Sequence, residues 1–170
     1  MNVKECIIER LRKTKRENIE NVIDYMNKKG FFISKCYKHH KYEGGLADHA
    51  WQTYQIALRL NAENCEKNPN AIKLDEDNIA IATLLHDFCK CSGMSKIKGH
   101  GFRSARILKE LGFKLTQDEF LAIRFHMSLR GKESHFLYND ALKNQLRYLV
   151  HTSDYNSSKL KNSYSDNISK

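Results

Sequence analysis

The feature that most constrains this chain is its shortage of breakers, with one proline and eight glycines in 170 residues. Between them, apolar residues return at spacings of three and four, the signature of helices with one buried face. Ile7, Ile8 and Leu11 mark a first helix, and Ile19, Val22, Ile23 and Met26 a second that stops at Gly30. Residues 31–43 read as a connector, and Gly44-Gly45 permits a sharp turn. Ala50, Tyr54, Ala57 and Leu58 place a helix over about 47–66, ended by Asn68-Pro69-Asn70. Asp75 can cap the next helix, which runs through Ile79 and Leu85 to Phe88. A loop over 89–99 leads to a helix reaching Leu111, with Gly112 as its stop. Thr116-Gln117-Asp118-Glu119 is a capping box opening a helix to about Leu129. A last strong helix starts at Asn139 or Asp140 and runs to about Tyr155. Alternation with period two is confined to Phe31-Phe32-Ile33. These patterns predict an all-α fold: one domain of six or seven helices over residues 1–156, with a frayed tail over 157–170.

Composition narrows the class of partner and the compartment. The charge count is 29 − 20 = +9, with eight histidines held in reserve, which favours anionic partners such as phosphates, nucleotides or nucleic acid. No run approaches the ~18 apolar residues of a membrane span; the longest, 79–85, is interrupted by Thr83. Met1-Asn2-Val3-Lys4-Glu5-Cys6 turns charged at once and has no apolar signal core. Five cysteines, at 6, 36, 65, 89 and 91, are odd in number and lack the spacing of a disulfide scaffold. They read as reduced thiols and the compartment as cytoplasmic. Cys89-x-Cys91, without a second such pair, reads as incidental rather than as a metal clip.

The chemistry gathers at histidines near helix ends. His86-Asp87 closes the apolar helix 79–85, where a loosening backbone lets both side chains reach one ion. An imidazole nitrogen beside a carboxylate oxygen suits Zn, Fe, Mn, Co or Ni better than Mg or Ca. His49 follows Gly44-Gly45-Leu46-Ala47-Asp48 near the start of a core-packing helix. Asp154 follows the apolar stretch Leu149-Val150, and Lys90 comes three residues after Asp87.

At these residues the chain resembles the HD-domain superfamily of metal-dependent phosphohydrolases, over about residues 39–160. An isolated His (His49), the doublet in Leu84-Leu85-His86-Asp87-Phe88-Cys89-Lys90 and a late Asp (Asp154) carry the resemblance. Lys98-Gly99-His100-Gly101-Phe102 and Ala122-Ile123-Arg124-Phe125-His126 are similar to the two further histidine segments of two-metal members. The order His49, His86-Asp87, His100, His126, Asp154 thus matches His…His-Asp…His…His…Asp. His39-His40-Lys41-Tyr42-Glu43-Gly44-Gly45-Leu46 is similar to the segment preceding the first ligand in HD-domain 3′-to-5′ exoribonucleases and relaxase-associated HD modules. Two features depart from relatives: His126 is flanked by Phe125 and Met127 where many two-metal members have a second histidine, and the Gly-Tyr-Pro extension of cyclic-dinucleotide phosphodiesterases is missing.

The resemblance implies that His49, His86, Asp87 and Asp154 hold one ion. It also implies a second, held by His100 and His126 and bridged by Asp87, whose carboxylate has two oxygens. Two such metals activate water and clamp developing phosphoryl charge. The expected activity is hydrolysis of a phosphoester of a nucleotide or short nucleic acid, with Asp87 and Lys90 at the chemistry and Lys90 steadying a phosphate or leaving oxygen. The competing readings are a catalytically silent metal- and nucleotide-binding regulatory module and a metal-free basic helical domain for nucleic acid. Arg103, Arg106 and Arg124 read as surface cations that could widen a phosphate surface. His39 and His40, close in sequence to the Gly44-Gly45 turn, could line the cleft but read first as connector residues. His151, at i, i+3 from Asp154, reads either as a residue orienting that acid or as a packed histidine. His135 has no evident partner. Trp51, Tyr54 and Leu58 read as core.

Overall fold

The computed structural model describes residues 2–36, 38–92, 99–127 and 135–160, and among these all regular structure is helical. The helices are α1 (Val3–Lys13), α2 (Ile19–Lys28), α3 (Gly45–Lys67), α4 (Glu76–Leu85), α5 (His100–Glu110), α6 (Gln117–Phe125), α7 (His135–Lys143) and α8 (Gln145–Lys159), with a 3₁₀ turn at Phe88–Ser92 after α4. The fold is all-α, as the periodicity predicts, with eight α-helices among the described residues in place of six or seven.

Helix α4 is the axis of the molecule. Every residue from Ile79 to Leu85 is buried, as expected of a helix apolar on all sides. It packs against α1, α3, α6 and α8, while α3 and α6 each also pack along α8. Asp75 starts α4 by accepting hydrogen bonds from the backbone N–H of Asp77 and Asn78. Thr116 and Glu119 form the expected capping box at α6. Buried Glu119 also receives Arg16 at 2.7 Å, tying the α1–α2 connection to α6.

Several boundaries differ from the periodic reading. The stretch taken as one helix from Asn139 to Tyr155 is two, because Asn144 interrupts it. Its side chain accepts from Arg147 N–H to cap α8 and donates to Asp118 at 2.8 Å. Helix α8 then continues to Lys159, past the expected boundary at 156, because Ser157 is buried against α3. Helix α4 stops at Leu85 rather than Phe88, and α6 at Phe125 rather than near Leu129. Residues 93–98 of the expected loop, 128–129 of the expected helix end and 161–170 of the expected tail lie outside the described residues. Phe31-Phe32-Ile33 forms a turn rather than a strand, with Phe31 wholly buried. The five cysteines are free thiols. Among the described residues no helix is long and apolar enough to cross a membrane.

Candidate metal centre

Helices α4 and α6 end in the same way. His86 and His126 are the C-cap residues, both still in helical conformation. Each turns its Nδ1 back to the carbonyl three residues earlier, His86 to Thr83 at 2.6 Å and His126 to Ile123 at 2.8 Å. A carbonyl can only accept, so Nδ1 carries the proton and Nε2 of the neutral ring keeps its lone pair. His49 reaches the same state by another partner: its Nδ1 lies 2.9 Å from Ser157 Oγ, and that hydroxyl donates to His49's own carbonyl at 3.3 Å. Three buried imidazoles are thus oriented with Nε2 ready to bind a cation, the usual arrangement behind metal-ligating histidines.

His100 arrives from α5. Gly101 makes this possible, since a Cβ there would overlap the backbone carbonyls of Ile123 and Arg124 on α6. The close approach brings His100 Nε2 to 2.9 Å from His126 Nε2. The α6 end is further held from α8, where Arg147 donates to the Phe125 carbonyl at 3.2 Å and His151 to the His126 carbonyl at 2.5 Å. His151 therefore orients His126 through its backbone, its Nδ1 being directed to that carbonyl rather than to Asp154.

All six residues singled out in sequence converge. Asp154 Oδ1 lies 3.0 Å from His49 Nε2 and 3.7 Å from His86 Nε2. Asp87 stands in the middle with one oxygen towards each group. Its Oδ2 lies 3.5 Å from His86 Nε2 and 3.9 Å from His49 Nε2. Its Oδ1 lies 3.4 Å from His100 Nε2 and 3.7 Å from His126 Nε2. Donors sharing one ion at ~2.0–2.2 Å sit ~3–3.5 Å from one another, so this spacing is close to that of a ligand cage. The buried atoms His49 Nε2, His86 Nε2 and Asp87 Oδ1 make no hydrogen bond. Leaving such atoms without a partner is costly, and cations held on the two sides of Asp87 would satisfy all three.

Electrostatics makes the same demand. Burial pulls the Asp87 and Asp154 carboxyls upward, yet both are held well below the usual range, Asp87 by Lys90 and His86 and Asp154 by His49 and His86. Two buried carboxylates therefore remain ionised. Burial opposes charge on His86 too, but Asp87 and Asp154 overcome it and raise the imidazole to about 10. In the metal-free protein a proton on His86 supplies positive charge that an ion can replace. His126 goes the other way: burial and the neighbouring His86 push it down to about 3.

Lys90 Nζ sits 2.5 Å from Asp87 Oδ2, its side chain 15% exposed. It stays a cation because Asp87 outweighs the burial that would lower it. His39 and His40 lie in the connector between α2 and α3, and the structure also brings them against the centre, the second of the two readings. His40 is buried, His39's ring lies 4.4 Å from that of His49, and one ligand atom from each of the three falls in a common cluster. Arg106 pairs with Glu110, and Arg124 lies 4.2 Å over the Phe102 ring, so both have partners outside the centre. His135 begins α7, but its side chain lies outside the described residues. Cys89 donates to the His100 carbonyl at 3.3 Å, and among the described residues no metal-binding cluster contains a cysteine. Sequence reasoning passed over Ser157, although it follows Asp154 by three residues on the same helix face.

The architecture is that of an all-helical domain built around a buried His/Asp metal centre. A family model for the HD domain matches residues 46–154, well over half of the 170 residues, and the chain belongs to that family. HD domains are in general metal-dependent phosphohydrolases, and the buried His/Asp clusters here are suited to divalent metal. Neither a curated protein nor a solved structure matches the chain significantly.

Proposed function

We propose that the chain hydrolyses a phosphoester of a nucleotide or short nucleic acid with two divalent transition-metal ions, drawn from Fe, Mn, Co, Ni and Zn. The observation that carries this reading is Asp87, which turns Oδ2 to His49 and His86 and Oδ1 to His100 and His126. His49, His86, Asp87 and Asp154 would hold the first ion, and Asp87, His100 and His126 the second. Bound there, the ions acidify water and draw charge from phosphoryl oxygens. The chain's own contribution is to fix the donors: the Thr83 and Ile123 carbonyls accept from Nδ1 of His86 and His126, Ser157 Oγ meets Nδ1 of His49, and each Nε2 is thereby turned into the centre. Lys90, charged and partly open to solvent beside Asp87, is placed to accept the approach of a phosphoryl or leaving-group oxygen. The net charge of +9 draws anionic substrates. Five free thiols suit the reducing cytoplasm.

The test is metal analysis of the purified protein, followed by a panel of nucleotides and short oligonucleotides with added Mn, Co, Ni or Fe. Bound transition metal and metal-dependent phosphate or nucleotide release are expected. A protein that binds metal and nucleotide without turnover would be the regulatory module instead. One that binds no metal under any of these conditions would overturn the centre itself.

A further inference from the structure

His39 lies outside the six-residue pattern, yet a hydrogen-bond relay prepares it as the other histidines are prepared. Gln52 Oε1 is an amide oxygen and can only accept, so His40 Nε2, 2.8 Å away, carries a proton. A neutral imidazole has one N–H, so His40 Nδ1 accepts. The atom facing it at 3.0 Å is His39 Nδ1, which therefore donates. The proton of His39 is thereby held on Nδ1, and its Nε2 keeps the lone pair.

The backbone is shaped to allow this. Gly44 takes a positive φ of 80°, and a Cβ on Gly45 would collide with the His40 carbonyl. The glycine pair therefore lets the His39-His40 segment lie directly on the first turn of α3. There the His39 ring packs at 4.4 Å against His49, within the electrostatic reach of Asp154 and Lys90. A bare lone pair cannot donate to a phosphoryl oxygen; it suits a cation. Ions of this class accept more than four donors, and the first site draws four from the six-residue pattern.

We propose that His39 is an additional ligand of the ion held by His49, His86, Asp87 and Asp154, with His40 and Gln52 as positioning residues that keep its Nε2 bare. The inference rests on the metal-centre reading above, and its test separates the two. Metal-free protein is titrated with Co(II), recording affinity and the visible absorption spectrum, for wild type, His49→Ala, His39→Ala, His39→Phe, Gln52→Leu and Gln52→Glu. His39→Phe keeps a ring packed on His49 without a nitrogen, and its melting temperature without metal checks the fold. Both His39 variants are expected to bind the first Co(II) about 10- to 100-fold more weakly, with an altered spectrum. Gln52→Leu should weaken it by about 10-fold, at the low end of the loss seen when a ligand's orienting partner is removed. Gln52→Glu, which still accepts from His40, should restore the wild-type spectrum. Wild-type affinity and spectrum in His39→Phe, with His49→Ala impaired, would overturn the role of His39 alone. Failure of wild type to bind Co(II) would overturn the metal centre as a whole.

Discussion

The ends of α4 and α6 are alike in backbone and opposite in charge preference. Both finish on a histidine in helical conformation whose Nδ1 is held by the carbonyl three residues back. Yet His86 is raised to about 10 and His126 lowered to about 3. Helix termination orients the ring, and the neighbours decide its charge. His86 faces two carboxylates, Asp87 and Asp154. His126 faces one oxygen of Asp87 and the imidazole of His100. The α4 half is therefore the stronger attractor for a cation, and the α6 half depends on the share of Asp87 it receives.

The most severe way to break this comparison is Asp87→Ala, which removes the one group common to both halves. Hydrolysis and metal content should both fall to background, read by phosphate release and elemental analysis. Equal metal content in variant and wild type would show that the halves do not depend on Asp87. Next in size are single losses on either side. His126→Ala should cut bound metal by about half and leave the first ion in place, whereas His49→Ala should lose the tighter ion; two-metal sites of this kind need both ions for full rate. If His126→Ala kept full activity and metal content, a one-metal mechanism would replace the present one.

How far the sequence revealed this centre follows from the same contrast. His49, His86-Asp87 and Asp154 are legible because each adjoins a periodic apolar segment, whereas His100 and His126 stand out through their resemblance to the histidine segments of two-metal HD domains. The all-helical class was legible from the same periodicity. Asn144 was not, because an asparagine inside a continuous periodic pattern looks like a surface residue until its cap to Arg147 N–H and its bond to Asp118 are seen. Ser157 reads as tail because Ser, Asn and Lys dominate after it, although its hydroxyl lies on His49. His39 and His40 carry little signal because no periodicity governs a connector. What places them is the Gly44-Gly45 turn and the acceptor on Gln52, a contact twelve residues from His40.

A smaller effect sharpens the role of Lys90. Its ammonium neutralises the Oδ2 side of Asp87, and removing one member of a buried pair costs about 3–5 kcal/mol. Lys90→Ala should therefore lower the melting temperature of the metal-free protein, while added Mn or Co recovers much of it. The rate with metal should fall by about 10- to 100-fold, a span corresponding to ~1.4–2.7 kcal/mol of transition-state stabilisation. Wild-type turnover in Lys90→Ala would confine the lysine to charge balance.

The gentlest probe is pH, applied to the metal-free protein, where the two helix ends should pull in opposite directions. His126 is held below its ordinary value, so between about 6.5 and 3 the unfolded chain takes up a proton that the folded one refuses. Its contribution is lost as pH falls, and His39, also lowered to about 3, adds to the loss. His86 is held above its ordinary value, so its contribution is complete below about 6.5 and fades as pH rises through about 10. Melting temperature should therefore decline on both sides of neutrality. His126→Gln should flatten part of the acid decline, the remainder being shared by His39, His40 and the two depressed carboxyls of Asp87 and Asp154, and His86→Gln should flatten part of the alkaline one. Bound metal should shift the alkaline limb as well, because an ion replaces the proton that His86 otherwise holds. A metal-free protein whose two limbs are unaffected by these substitutions would show that the contrast between α4 and α6 is not electrostatic.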